Sequence, residues 1–354
     1  MADLSNVRKI RFYVKTDRVT EKIALSASDF LEGKGIKVFM EDRAKKRKAF
    51  SHLSSDKRKE ADMAMSFGGD GTLLSSIAAM GDRQIPLLGV SCGQRGFLTQ
   101  SSMDQLEHDI QHILTGRVEV IERSRFTASI DGKPVRPCLN EYAVVSKTPV
   151  SVMKYTIKVN GATLWDEDGD GVIIATPTGS TGYAESAGGV TILSGSNVIE
   201  VVPISPLNKR SRPLVVPSHS VVEISNILSK KGSVLVVDGW ERVDLNDRSV
   251  TITLAKTPAL LLKRTDVHEH ASQRYLTEPE GQAITRLPAS AKFVFKIIET
   301  KGSMTSKELE KETMLPARTL RKALQDLVKV EIVGKRQFWN DPRKSFYFLR
   351  VRAR

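Results

Sequence analysis

Ser66-Phe67-Gly68-Gly69-Asp70-Gly71-Thr72 stands between the short apolar run Met63-Ala64-Met65 and a helix-like run over 73–80. That order reads as a strand, a tight turn and a helix start. Glycines let the backbone approach a ligand closely. Free N–H groups at a helix start favour bound phosphate. Asp70 falls inside the turn, where a carboxylate repels phosphate unless it takes a proton or helps hold a metal ion. By itself the stretch fits a structural turn with an Asp cap equally well. No Gly-x-x-x-x-Gly-Lys-Ser/Thr occurs, so the chain is not a P-loop enzyme.

Outward from this turn, strand patterns at 8–14, 36–39, 63–67 and 86–90 alternate with helical patterns at 21–32, 73–80 and 106–114. Such alternation implies an α/β layer with a parallel sheet, assigned to 1–117. Beyond about residue 118 strand-like runs dominate, at 118–121, 126–130, 142–145, 155–159, 172–175, 221–224, 234–237 and 250–254. They predict a β-rich, sandwich-like second domain over 118–257. A third unit, 286–354, opens with a helix at 291–300 that turns Phe293, Val294, Ile297 and Ile298 inward. A second helix follows a cap at Thr305, and a third runs from Pro316 to about 328 with Leu320, Ala323, Leu324 and Leu327 on one face. Strand-like runs at 330–333 and 345–351 complete a small α+β pattern similar to a winged helix-turn-helix.

Two further constellations carry chemistry. Asn140-Glu141 precedes an apolar run; an amide can pair with an adenine edge, and a carboxylate can accept ribose hydroxyls. Gly169-Asp170-Gly171 leads through an apolar strand into 176–189, Thr-Pro-Thr-Gly-Ser-Thr-Gly-Tyr-Ala-Glu-Ser-Ala-Gly-Gly. A loop this polar belongs to the surface or to a site. Its Tyr183 offers an aromatic face for a ring to stack on.

The order and spacing of these motifs resemble the NAD kinase family over roughly residues 8–265. The resemblance implies an α/β domain, a β-rich domain and a nucleotide site between them, with residues 258–280 returning to the first domain. It implies transfer of a phosphoryl group from ATP or polyphosphate to the adenosine-ribose 2′-hydroxyl of NAD, with Mg²⁺ arriving on the nucleotide. Asp70 would be the base, and Gly68, Gly69, Gly71 and Thr72 would hold phosphate through backbone N–H groups. Asn140, Glu141 and Asp170 would hold the dinucleotide. Thr178, Gly179, Ser180, Thr181, Gly182, Tyr183 and Ser186 would form its phosphate and ribose loop. A homo-oligomer is also implied. This sequence departs from the family at Ser91, Arg95, Asp168, Gly182, Glu185 and Trp240, which bears on the donor and on the NAD–NADH preference. Lipid kinases share the Gly-Gly-Asp-Gly-Thr turn but not Asn140-Glu141 or the 176–189 loop. A transcription regulator with a dinucleotide-sensing body is the alternative; Asp70 argues against it, since a sensor needs no base.

Of 354 residues, 40% are apolar and 27% charged, a globular composition with room for two or three domains. No apolar run approaches a membrane span, and the two cysteines, Cys92 and Cys138, cannot build a disulfide scaffold or a Cys-based zinc site. The expectation is a cytoplasmic protein with no protein-caged metal, in which Cys92 is a small semi-buried residue. Net charge is +13, and residues 285–354 hold 17 Lys and Arg against 7 Asp and Glu, a net +10. Another basic run covers 43–48. Such asymmetry points to an anionic partner for the last unit. Arg318, Arg321 and Lys322 on the third helix, with Lys335 and Arg336 on the wing, are the candidate DNA contacts.

Overall fold

In the computed structural model the first sheet has the order Lys37–Met40, Lys9–Val14, Met63–Gly68, Leu87–Ser91, Ala259–Arg264, Val118–Arg123, and the first five of these pair in parallel. The short strand Ser101–Ser102 pairs beside Leu87–Ser91. The residues described are 7–40, 61–93, 96–103, 105–148, 151–208, 210–264, 287–301, 303–330, 332–338 and 341–349. The basic run 43–48 and residues 265–280 of the expected returning segment lie outside them. The chain divides into one unit of Met1–Ser76, Ile85–Ile121 and Leu261–Arg354, and another of Ile77–Gln84 and Glu122–Leu260.

Within the first unit, Phe12, Met63, Met65 and Phe67 are wholly buried. The Phe12 and Phe67 rings meet at 4.7 Å. The helix Arg18–Glu32 covers this sheet with Val19, Ile23, Ala24, Ala27 and Leu31. It starts three residues earlier than the apolar spacing indicated, because Asp17 accepts the Thr20 N–H at 2.9 Å and caps the first turn. The helix after Met63–Gly68 also starts early. It spans Asp70–Met80, so Asp70 is its first residue rather than part of a preceding turn.

The second unit holds two antiparallel sheets. One has the order Ala162–Gly169, Met153–Val159, Val222–Ser229, Val250–Leu254, Phe126–Ile130, Lys133–Cys138. The other runs Leu214–Pro217, Val198–Ile204, Gly171–Ala175, Glu141–Ser146, Ser233–Val237, Glu241–Asp244. Phe126, Tyr155 and Ile224 of the first share one buried cluster with Tyr142, Val172 and Val201 of the second. The strands Lys133–Cys138, Ala162–Gly169 and Glu241–Asp244 were not expected. Each follows a turn whose residues have positive φ: Asp131-Gly132 at 48° and 76°, Asn160-Gly161 at 51° and 82°, Asp238-Gly239 at 48° and 76°. Asp, Asn and Gly tolerate that region, and such pairs are the strongest local hairpin signal.

Residues 289–349 supply the helices Ala289–Lys301, Ser306–Thr313 and Ala317–Lys329, with a three-stranded sheet ordered Met304–Thr305, Asp341–Leu349, Val333–Phe338. Thr305 and Glu308 form a reciprocal capping box. Leu320, Ala323, Leu324 and Leu327 are all buried, as their spacing predicted. Phe293 corrects the expectation for the first helix: it is 45% exposed, while Ala291, Val294 and Ile298 turn inward. Steps of three and four put those residues on one stripe, and Phe293 falls beside it.

Candidate active site

Gly68 ends a buried strand, and Asp70 opens the next helix. The approach is close: a Cβ at Gly68 would overlap the Thr72 side chain. The Thr72 N–H donates to the Gly69 carbonyl at 3.0 Å, so this N–H serves the turn itself. The N–H groups of Asp70 and Gly71 precede the helix's own ladder, as the first donors of any helix do.

Asp70 is held on its far side. Its Oδ2 accepts the Phe97 N–H at 2.7 Å, and its Oδ1 accepts those of Leu98 and Thr99 at 3.0 and 3.2 Å. Gly96 lies so near that a Cβ there would overlap the carboxylate. A carboxylate offers about four acceptor positions, so Oδ2 keeps a free lone pair while three donors fix its direction. Nothing local in the sequence signals these bonds, which span 27 to 29 residues. Nearby, Cys92 is buried, which pushes its thiol up to about 12. It is a packed residue with almost no thiolate at neutral pH.

In the second unit, the loop after Gly171–Ala175 is sewn to Asn140. The Thr176 N–H donates to the Asn140 carbonyl at 2.8 Å, the Thr176 hydroxyl to the Leu139 carbonyl at 2.6 Å, and the Gly179 N–H to the Thr176 hydroxyl at 3.1 Å. Gly179 sits so close that a Cβ would strike the Asn140 carbonyl. From the other side, the Asp238 carboxylate accepts the N–H groups of Leu139 at 3.0 Å and Asn140 at 2.7 Å. The Asp238 N–H returns a bond to the Glu141 carbonyl. Asp238 is the clamp on the Asn140-Glu141 pair.

This clamping leaves polar atoms without partners. Asn140 Oδ1 and Glu141 Oε2 are both buried and unbonded. Burial, with Asp238 adding repulsion, pushes the Glu141 carboxyl up to about 8. Burial also raises the Asp238 carboxyl, against the lowering effect of the N–H groups that it binds. Orphaned buried acceptors are uncommon in native proteins, and a water, an ion or a ligand donor commonly meets them.

Around the same pair, Asp170 is half-buried and Tyr183 is 44% exposed. Burial raises the Tyr183 hydroxyl, and the charges of Asp170 and Glu141 add to this, which puts all three in one neighbourhood. Gly182 lies beside Glu141. Thr178 and Thr181 are half-buried and Ser186 exposed. Ser180 differs: its hydroxyl is fully buried, donates to the Pro177 carbonyl at 2.9 Å and accepts the Ile192 N–H at 3.0 Å. That hydroxyl braces the loop. Glu200, missed in the sequence, does the same at the loop's end. It is wholly buried and accepts the Val190 N–H at 2.6 Å.

Comparison with known proteins identifies the family. The model of the ATP-NAD kinase N-terminal domain matches residues 10–118, and that of the ATP-NAD kinase C-terminal domain matches residues 139–263. The chain therefore belongs to the NAD kinase family. It is 34% identical to an NAD kinase of Methanocorpusculum labreanum, over 67% of this chain and 86% of that one. It is 36% identical to an NAD kinase of Sulfurimonas denitrificans, over 64% and 82%. Among solved structures, an NAD kinase from Archaeoglobus fulgidus in complex with ATP aligns with a TM-score of 0.61 and 28% identity, over 73% of this chain and 94% of that one. Yeast NADH kinase complexed with NADH shares the fold with a TM-score of 0.70 at 22% identity, over 78% and 88%.

Proposed function

We infer that the chain phosphorylates the adenosine-ribose 2′-hydroxyl of NAD, with ATP as donor, to give NADP. The observation that carries the site assignment is the pair of buried, unbonded acceptors, Asn140 Oδ1 and Glu141 Oε2, held open by Asp238 and Thr176. Adenine amino and ribose hydroxyl groups are the donors they lack. Asp170 and Tyr183 flank the ribose and base, and Thr178, Gly179, Thr181, Gly182 and Ser186 line the phosphate side. Ser180 contributes by shaping that loop.

Asp70 is the base. Its free Oδ2 lone pair takes the 2′-hydroxyl proton as that oxygen bonds to the γ-phosphorus and the bond to ADP breaks. Three N–H donors keep the carboxylate pointed, so positioning supplies much of the rate. Gly68 allows the close turn, and the donors of Gly69 and Gly71 face the phosphates. A divalent ion bound with ATP would neutralise phosphate charge there. Among the described residues no three His, Cys, Asp or Glu side chains lie close enough to hold a metal ion.

The unit over 286–354 is read here as a winged helix, supported by the helix–strand–helix–helix–strand–strand order and by the central place of Asp341–Leu349 in its sheet. The proposed domains are 1–117 with 258–280, then 118–257, then 286–354, although the strand Val118–Arg123 lies in the first sheet, so the first domain's sheet runs a few residues past 117. A homo-oligomer in a reducing cytoplasm completes the proposal; both cysteines are free and buried, and among the described residues no helix is long and apolar enough to cross a membrane.

The test is NADP formation from NAD, ATP and Mg²⁺, with Asp70→Asn as control. Loss of a general base costs about 10²–10⁴-fold in turnover. Near-normal turnover in the variant removes Asp70 from the role. No turnover in the wild type with ATP, polyphosphate or NADH instead makes the body a dinucleotide sensor.

A further inference from the structure

The helix Ala317–Lys329 divides into two faces. Leu320, Ala323, Leu324 and Leu327 fill the core of the C-terminal unit. On the opposite side Arg318, Arg321, Lys322, Gln325 and Lys329 are all exposed. Their spacings of three, four and seven residues make one continuous stripe, about 16 Å long at 1.5 Å per residue. Within it only Lys322 has a recorded ion pair, with Asp326 at 3.1 Å, and its side chain stays 73% exposed.

The unit is anchored elsewhere. Phe346 and Phe348, on the strand Asp341–Leu349, are buried in the same apolar cluster as Ile10, Phe12 and Met65 of the first sheet. Tyr347, between them, faces the cluster of Val294, Leu309 and Leu324. The small sheet is thus covered on both faces, while the basic helix stripe is left bare. The turn before that helix, where Met314 has φ 50° and is 88% exposed, keeps its N-terminal end open as well. Nothing in the kinase reaction uses this surface.

We propose that this stripe binds duplex DNA, with the helix Ala317–Lys329 seated in the major groove. The proposal rests on the winged-helix reading of this unit. A groove about 12 Å wide admits one α-helix. Arg and Lys neutralise phosphates. The Arg318 and Arg321 guanidinium forks and the Gln325 amide have the donors and acceptors that pair with guanine and adenine edges. Exposed Lys335, on the adjacent strand Val333–Phe338, extends the positive surface toward the flanking backbone. An acidic protein surface would answer the same charge, but a narrow stripe with interleaved Arg and Gln suits a groove lined by phosphates and base edges.

The experiment uses the full chain and a fluorescein-labelled 30-base-pair duplex of mixed sequence, followed by anisotropy between 50 and 200 mM salt. Wild type should bind with an affinity that falls steeply with salt. The double variant Lys322→Ala/Lys329→Ala should flatten the slope by about 1.8, at ~0.9 per lost phosphate contact, and weaken binding on the order of tens of fold near 0.1 M salt. NADP formation should be unchanged. Limited proteolysis of 287–349 is run in parallel, with Leu324→Asp as the unfolded reference. No wild-type binding at 50 mM salt, equal binding by the double variant, or preference for duplex RNA of the same length overturns the proposal while protected helices leave the fold reading standing. Wild type digested as fast as Leu324→Asp overturns both.

Discussion

Replacing Glu141 by Gln should make this protein more stable and a worse binder of NAD. Glu141 opens a strand, is 5% exposed and has one oxygen with no donor. Its carboxyl is raised from 4.5 to about 8, chiefly by burial. A raised folded-state value means that the native state holds the proton more tightly than the unfolded chain does. The contribution to stability is fully present below 4.5 and is lost as pH rises through about 8. At 1.36 kcal/mol per unit the whole effect is on the order of 5 kcal/mol, and roughly half of it falls between pH 6 and pH 8.5. Gln keeps the shape and does not ionise, so the variant should lack this slope. Urea titrations at both pH values, read by the fluorescence of Trp165 and Trp240 in the same unit, measure it. Parallel pH slopes in wild type and variant would refute the assignment of a buried, proton-holding Glu141.

The ligand should read the same group: wild-type NAD affinity should rise about tenfold per unit from pH 6 to 8 and level off above, whereas Glu141→Gln binds weakly and without that dependence by calorimetry. Gly179→Ala forces backbone against the Asn140 carbonyl and should lower stability by about 1–3 kcal/mol, while Gly71→Ala, with open space around its Cβ, should fold normally; thermal melts compare the two. Gly96→Ala should push the Asp70 carboxylate off the 97–99 N–H groups and cut kcat at least about tenfold with a smaller change in KM for NAD, because it disturbs the reacting group rather than the dinucleotide loop. Iodoacetamide at pH 8 should leave Cys92 unlabelled in the native protein and label it in urea; rapid native labelling would contradict its burial.

What the sequence revealed was set by range. Met63–Gly68 and Asp70–Met80 were legible because a strand, two glycines and a helix start lie within one local window. Leu320, Ala323, Leu324 and Leu327 were legible through helical spacing. The turns Asp131-Gly132 and Asn160-Gly161 carried a clear signal for two hairpins that was not used. Other features had no local signature. The bonds from Phe97, Leu98 and Thr99 to Asp70 span 27 to 29 residues, and the Asp238 clamp on Asn140 spans 98. Glu200 looks like any strand residue until Gly189 and Val190 arrive above it. Ser180 is an ordinary loop hydroxyl by composition, and only the Ile192 N–H shows that it points inward.

The strand Ala259–Arg264 lies between Leu87–Ser91 and Val118–Arg123 in the first sheet. During synthesis every other strand of that sheet leaves the ribosome before it. At about 5–20 residues per second, the wait is roughly 7 to 28 seconds. Through that interval the nascent sheet has an unfilled slot between Leu87–Ser91 and Val118–Arg123, and the chain from Glu122 onward is made while the slot stands open. Cutting the gene anywhere between 124 and 258 would therefore give an N-terminal product with a gap in its sheet. A circular permutant that began at 259 would deliver the missing strand first.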